Sequence, residues 1–254
     1  MGTSPAILTA VQHSAMLWLQ ALIVNTVLIA LAHRLPLLTR QGWVHAGMLG
    51  TVLWGSLGWS GWLSVVLYLA LGSAVTKLGI RDKQQRGLAE ARGGCRSPIN
   101  VWGSAATGAT LALLVAAGFE PKGWLLAGFA ASFAAKLADT FGSEIGKRWG
   151  SSPRLITSLR RVEPGTEGAI SLEGTVASAL GSLLMAAVMW GLAVVPSLTL
   201  FAVVALVGFV ATLAESVLGA LAQTRISWMS NELVNALQTS FAALLMISFM
   251  PFIS

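Results

Sequence analysis

Residues 41–76 read QGWVHAGMLGTVLWGSLGWSGWLSVVLYLALGSAVT and contain no Asp, Glu, Lys or Arg. About 20 apolar residues suffice to cross a bilayer as a helix, and this run is long enough for two such passes. Its one interruption is Gly55-Ser56-Leu57-Gly58-Trp59-Ser60-Gly61, small and turn-prone, so the stretch predicts paired membrane helices at Trp43 to Leu57 and Gly61 to Thr76.

The rest of the chain agrees. Of 254 residues, 55% are hydrophobic and 10% charged, and the mean hydropathy is +0.74, whereas a soluble domain carries about 25% charged residues. No charge-rich segment is long enough to form an appended soluble catalytic domain, which predicts a single integral membrane domain over residues 1–254. Further apolar runs lie near Ala15 to Ala32, Ile99 to Ala117, Trp124 to Phe141, Thr175 to Val194, Ser197 to Ala220 and Leu233 to Phe252. The expected fold is therefore an all-α polytopic bundle of seven or eight transmembrane helices. With eight, the connections after the odd-numbered helices emerge on one face and hold nearly all the basic residues. The net charge of +6 then reports the bias of Lys and Arg toward cytoplasmic loops rather than nucleic-acid binding, and both termini fall outside. Met1 to Leu31 has no basic residue before its apolar run, which reads as a retained first helix rather than a signal or transit peptide, and favours a bacterial or cyanobacterial inner or thylakoid membrane.

Cys95 stands alone, so neither an internal disulfide nor a Cys-based zinc site can form. His13, His33 and His45 fall singly at helix ends, and most of the ten tryptophans do the same, as an interfacial aromatic belt. Small-residue faces at Gly50-Thr51, Gly103 to Gly108 and Gly174 to Ser178 suit close helix packing. Ala135-Lys136-Leu137-Ala138-Asp139-Thr140 is echoed by Ala211-Thr212-Leu213-Ala214-Glu215-Ser216. The echo is short enough to arise by chance or by duplication; if duplicated, the two acidic segments point to one shared site.

Ionisable side chains within membrane helices are costly unless they face a polar interior, which singles out Lys136, Asp139 and Glu215. Lys136, Asp139, Thr140, Ser143 and Lys147 recur at helical spacing as one polar stripe, with Glu144 beside it. The alternative for Lys136 and Asp139 is an ion pair that only locks helices together. The loop Lys77 to Asn100 carries Lys83, Arg92, Gly93, Gly94 and Arg96, whose forked guanidinium groups and open glycine backbone suit an anionic ligand; arginines after a membrane helix also serve orientation alone. The segment Pro153 to Thr175 contains Thr157, Thr166 and Ser171, and is either a phosphate or metal site or a structured turn. Gln223, Asn231 and Asn235 cluster around the last connection, and Asn235 needs a polar partner inside its helix.

Several of these segments together resemble the transmembrane-protein-19-like integral membrane family. They are Lys77-x-Gly79-Ile80, Arg92-Gly93-Gly94-x-Arg96, Asn100-Val101, Ala138-Asp139-Thr140-x-Gly142-Ser143-Glu144-Ile145-Gly146, Pro153-Arg154-Leu155-Ile156-Thr157 and Val162-x-Pro164-Gly165-Thr166-x-Gly168-Ala169. Glu215-Ser216-x-x-Gly219-Ala220-x-x-Gln223 also fits, with Glu where the family pattern has Asp, as do Asn231 and Val234-Asn235. One branch of that family comprises phytyl-phosphate kinases of tocopherol and phylloquinone synthesis. The resemblance implies phosphoryl transfer from a nucleoside triphosphate, CTP by expectation, to a prenyl monophosphate such as phytyl phosphate. On this reading Lys136, Asp139, Glu144 and Glu215 are the catalytic candidates, with Asp139, Glu144 and Glu215 holding Mg2+. Lys77, Lys83, Arg92, Arg96, Asn100, Ser143, Thr157, Thr166, Ser216, Gln223, Asn231 and Asn235 are the expected phosphate contacts. The same intramembrane charges would also serve a transporter or flippase for an anion or lipid phosphate, or a nucleotidyltransferase acting on a lipid phosphate.

Overall fold

The computed structural model describes residues 5–223 and 225–253, with side chains from residue 14 onward, so the expectation for His13 lies outside the described side chains. The chain is an all-α bundle: α1 Pro5–Ala32, α2 Arg40–Lys77, α3 Ile80–Gln85, α4 Pro98–Ala116, α5 Lys122–Trp149, α6 Leu172–Gly191, α7 Leu198–Leu218 and α8 Asn231–Ile253. Six of these helices are long and apolar enough to cross a membrane. The exception among the long ones is α5, whose second half carries the polar stripe.

Helix α2 is not straight. Gly58 adopts φ 70° and ψ −167°, a backbone region open in practice to glycine only. A straight helix would separate residues 50 and 62 by about 18 Å, yet both Gly50 and the Trp62 indole meet the side chain of Asn25. Likewise Arg96 touches Gly42 through its carbonyl and Gly72 through its guanidinium. The chain therefore doubles back at Gly58, and the two arms of α2 are the two runs expected within residues 41–76. The starts of α2, α4, α6 and α7 are fixed locally. Thr39 accepts from the Gly42 amide (3.0 Å), Ser171 from Gly174 (3.1 Å) and Ser197 from Leu200 (3.1 Å), while α4 opens with a Ser97–Asn100 capping box and Pro98 in its first turn.

Helix α5 is the axis of the bundle, with α2, α4, α6, α7 and α8 packed around it and every residue from Ala127 to Ala138 buried. Small residues allow a close crossing of α5 on α6: an added Cβ at Gly142 would strike Ser178, and one at Gly174 would lie 2.9 Å from the Gly142 carbonyl oxygen. α1 lies outside this ring against α2, with Leu19, Leu22, Ile23 and Val27 exposed, as lipid-facing side chains are.

The connections after α1, α2, α5 and α7 gather at one end. The Thr39 amide donates to the Arg96 carbonyl (3.0 Å) and the Arg96 amide to Leu37 (3.0 Å), joining the first two. Gly165 packs on Leu88, and Gly168 packs on Ser216 and Ala220, joining the others. Between α5 and α6 a two-residue hairpin pairs Arg154 with Ile170 and Leu155 with Ala169, antiparallel.

Candidate active site

A cavity of about 560 Å3 opens at this loop-bearing end. Its wall is built from one face of α5, the first turns of α4, α6 and α8, the end of α7, and the loops 87–96 and 164–171. The sequence stripe is intact: Lys136, Asp139, Thr140, Ser143 and Lys147 all line it. Four basic groups (Arg92, Arg96, Lys136, Lys147) share the wall with six acids (Glu90, Asp139, Glu144, Glu167, Glu215, Glu232).

Lys136, 7% exposed, bonds Asp139 on its own helix and donates to Asn235 Oδ1 on α8 at 2.9 Å. Asn235 thereby has the polar partner that a buried amide in lipid requires. Glu215 on α7 lies within electrostatic reach of both Lys136 and Asp139, and its carboxylate has no hydrogen-bond partner among the described residues. The echoed segments of α5 and α7 thus meet, since Thr212 Oγ1 donates to the Ala135 carbonyl at 3.1 Å and the acid of each segment faces the same cavity.

Across the cavity, Arg96 donates to the Tyr68 hydroxyl (2.9 Å) with its guanidinium carbon 5.1 Å from the ring centre. That contact places the guanidinium against the second arm of α2. Arg92 donates to Asn100 Oδ1 (3.1 Å) and Ser97 Oγ (3.3 Å), and Asn100 in turn donates to Glu232 (2.9 Å), tying loop 87–96 to α4 and α8.

Helix α3 and this loop are strapped to the last two turns of α5 by three of the four ion pairs among the described residues: Lys83 to Glu144 and Asp82 to Arg148 from α3, and Glu90 to Lys147 at 2.6 Å from the loop. Burial pushes the Glu90 carboxyl up, but the Lys147 ammonium outweighs burial and holds it below the usual 4.5. Burial raises Glu167, in the facing loop, above the same value against the pull of Lys147.

Not every expected contact reaches the cavity. Arg92, Arg96, Asn100, Ser143, Thr166, Ser216, Asn231 and Asn235 line it; Lys77, Lys83, Thr157 and Gln223 do not. Lys83 is 0% exposed and spends its ammonium on Glu144 and on the Thr76 carbonyl (2.8 Å), behind the wall rather than in it. Thr157 is exposed, in the segment that joins the two hairpin strands. The amide oxygen of Gln223 is buried without a partner near Gly219, in the π-helical turn Gly219–Gln223 that follows α7. The expected three-carboxylate metal cluster is not assembled: among the described residues no group of three or more His, Cys, Asp or Glu is poised for a metal. The reason is local, because Lys83 holds Glu144 and Lys136 holds Asp139.

Four cavity groups went unassigned in the sequence: Glu90, Lys147, Glu167 and Glu232. Lys147 was within reach of sequence reasoning, being the last member of the polar stripe; nothing local distinguished the three acids.

Residues 23–243 match the family described as integral membrane protein DUF92. An uncharacterized membrane protein of Synechocystis sp. is 45% identical over 239 residues, covering 93% of this chain and 92% of that protein. Protein VTE6 of the chloroplast of Arabidopsis thaliana is 34% identical over 261 residues, 99% of this chain and 78% of its own length. An uncharacterized membrane protein of Methanocaldococcus jannaschii is 31% identical over 202 residues, 80% of this chain and 81% of that one. No solved structure matches. With a family match over most of its length and relatives above 30% identity along it, the chain belongs to the DUF92 family of integral membrane proteins.

Proposed function

We propose that this protein is a membrane phosphotransferase that moves a phosphoryl group from a nucleoside triphosphate, CTP by preference, to a prenyl monophosphate, phytyl phosphate foremost, giving the diphosphate. The observation that carries this reading is the charge of the cavity: basic groups suited to phosphate stand beside a surplus of carboxylates, at the loop end of a bundle whose helices offer an apolar path for a lipid tail. Family membership and the similarity to VTE6 along 99% of this chain accord with it.

The donor set fits Mg2+ as a substrate-borne ion rather than one caged by protein. Mg2+ typically takes one or two carboxylates and completes its shell with phosphates and water. Asp139 and Glu215, the latter free of hydrogen-bond partners, are the residues that would hold it. Bound there, it would neutralise the charge between two polyanions. The chain itself supplies position and charge. Lys136, Arg92 and Arg96 counter phosphate oxygens, and Asn100, Ser143, Thr166 and Asn235 orient them. No general base is required, because the attacking prenyl-phosphate oxygen is already anionic. The loops, and with them the site, face the cytoplasm on this reading.

The test is purified protein in detergent with radiolabelled CTP, Mg2+ and phytyl phosphate. Prenyl diphosphate together with CDP is the expected product. Released pyrophosphate would instead mean nucleotidyl transfer, and uptake by proteoliposomes without conversion would mean transport.

A further inference from the structure

We propose that the two substrates lie one above the other along α5, the prenyl monophosphate at the deep end on Lys136 and Arg96, the nucleoside triphosphate at the outer end on Lys147 and Arg92. This rests on the phosphotransferase reading and assigns a subsite to each substrate.

The axis is set by α5. Lys136 and Lys147 both line the cavity, and eleven residues of helix separate them by about 16 Å. Lys136 directly follows the buried apolar stretch Ala127 to Ala135. Arg96 lies at comparable depth, because its guanidinium rests on Tyr68 and beside Gly72 in the uncharged second arm of α2. An anion held between these two groups has its headgroup below the loops and apolar helices within reach of its tail, the position a lipid phosphate occupies and a soluble nucleotide does not.

The outer end is different in kind. Lys147 and Glu90 remain 24% and 42% exposed in their pair, and Arg92 is exposed on the loop above. Water-borne ligands arrive there first. Both ends keep donors in reserve: Arg96 uses one of its five N–H groups on Tyr68, and Lys147 one of three on Glu90. Asp139 and Ser143 lie between the two ends on the same face of α5. There an oxygen of the lipid phosphate forms its bond to the γ-phosphorus while the bond from that phosphorus to the β,γ-bridging oxygen breaks. The electron pair leaves with the nucleoside diphosphate, and no proton need move.

The experiment measures binding separately from turnover. Full-length protein in detergent is titrated with radiolabelled CTP in Mg2+ and, independently, with radiolabelled phytyl monophosphate, for wild type, Lys147→Met and Arg96→Met. Losing a charge-assisted contact should weaken the affected ligand about tenfold or more and the other less than about twofold. Lys147→Met should act on CTP and Arg96→Met on the lipid. Lys147→Arg, which keeps the charge, should retain CTP binding and so separates a lost contact from a damaged fold. The opposite pattern, equal losses of both ligands, or wild-type protein that binds neither ligand would overturn the assignment. Wild-type protein that binds both in this pattern yet forms no diphosphate would leave the two subsites standing and remove the kinase reading.

Discussion

Replacing Lys83 with Met removes an ammonium group that has no contact with solvent: the side chain is 0% exposed and its partner Glu144 3%. Met keeps most of the length and apolar volume of the lysine stem, so the loss is confined to charge and hydrogen bonds. Two acceptors are orphaned, a Glu144 carboxylate oxygen and the Thr76 carbonyl. Breaking a buried ion pair from one side costs about 3–5 kcal/mol, because the remaining charge stays buried and uncompensated. Lys83→Met should therefore lower stability by roughly that amount. Pairing it with Glu144→Gln removes the stranded charge and should recover part of the loss, because only neutral polar groups then stay unpaired. The assay is unfolding of the detergent-solubilised protein, followed by far-UV circular dichroism against denaturant for wild type, both single variants and the double. A single-variant loss below about 1 kcal/mol, the range of an exposed pair, would refute the argument, as would a double variant no more stable than Lys83→Met.

Asp139→Asn should leave the protein folded and inserted while reducing diphosphate formation to near background, measured as product per unit of monodisperse protein; wild-type turnover would remove Asp139 from the mechanism. Gly58→Ala puts a side chain where φ is 70°, and although open space surrounds the added methyl, backbone strain of about 1–3 kcal/mol should appear as a lower unfolding midpoint. The Glu90 carboxyl is held below its usual 4.5 in the folded chain. Its contribution is thus complete above that value and lost as pH falls through the lowered one, so acid unfolding below about pH 4.5 should be less steep in Glu90→Gln. Because the pair is half-exposed, the cost of that variant at neutral pH should stay within about 1 kcal/mol. Glu167 has the opposite sign. Its raised value means that stability declines as pH climbs through it, and Glu167→Gln should flatten that decline in the same unfolding series.

The fold was legible where hydropathy and backbone chemistry speak together. The uncharged run from Gln41 to Thr76 required two passes, and Gly58 is where they join, because only a glycine there permits the reversal. The polar stripe from Lys136 to Lys147 was readable from helical spacing alone. Lys83 was not readable. A six-residue helix of sequence IRDKQQ carries every mark of a solvated surface turn, and only the docking of that turn against α5 directs one of its charges inward. For the same reason Asp139, Glu144 and Glu215 read as equivalent acids in sequence. Tertiary structure separates them by giving two of them private lysines and leaving the third without one. Glu90 and Glu167 come from two different connections and Glu232 from the first turn of α8, and their convergence depends on how those connections fold over the bundle end.

The reversal at Gly58 also bears on how the chain enters its membrane. With no charge between Gln41 and Thr76, nothing within the run opposes entry of the turn into lipid, and the two arms would enter together as one helical hairpin. Its base carries Arg34 and Arg40 before the first arm and Lys77 and Arg81 after the second, so the bias of Lys and Arg toward one face would draw both ends of the hairpin to the same side. The tip has only to avoid acquiring a charge of its own.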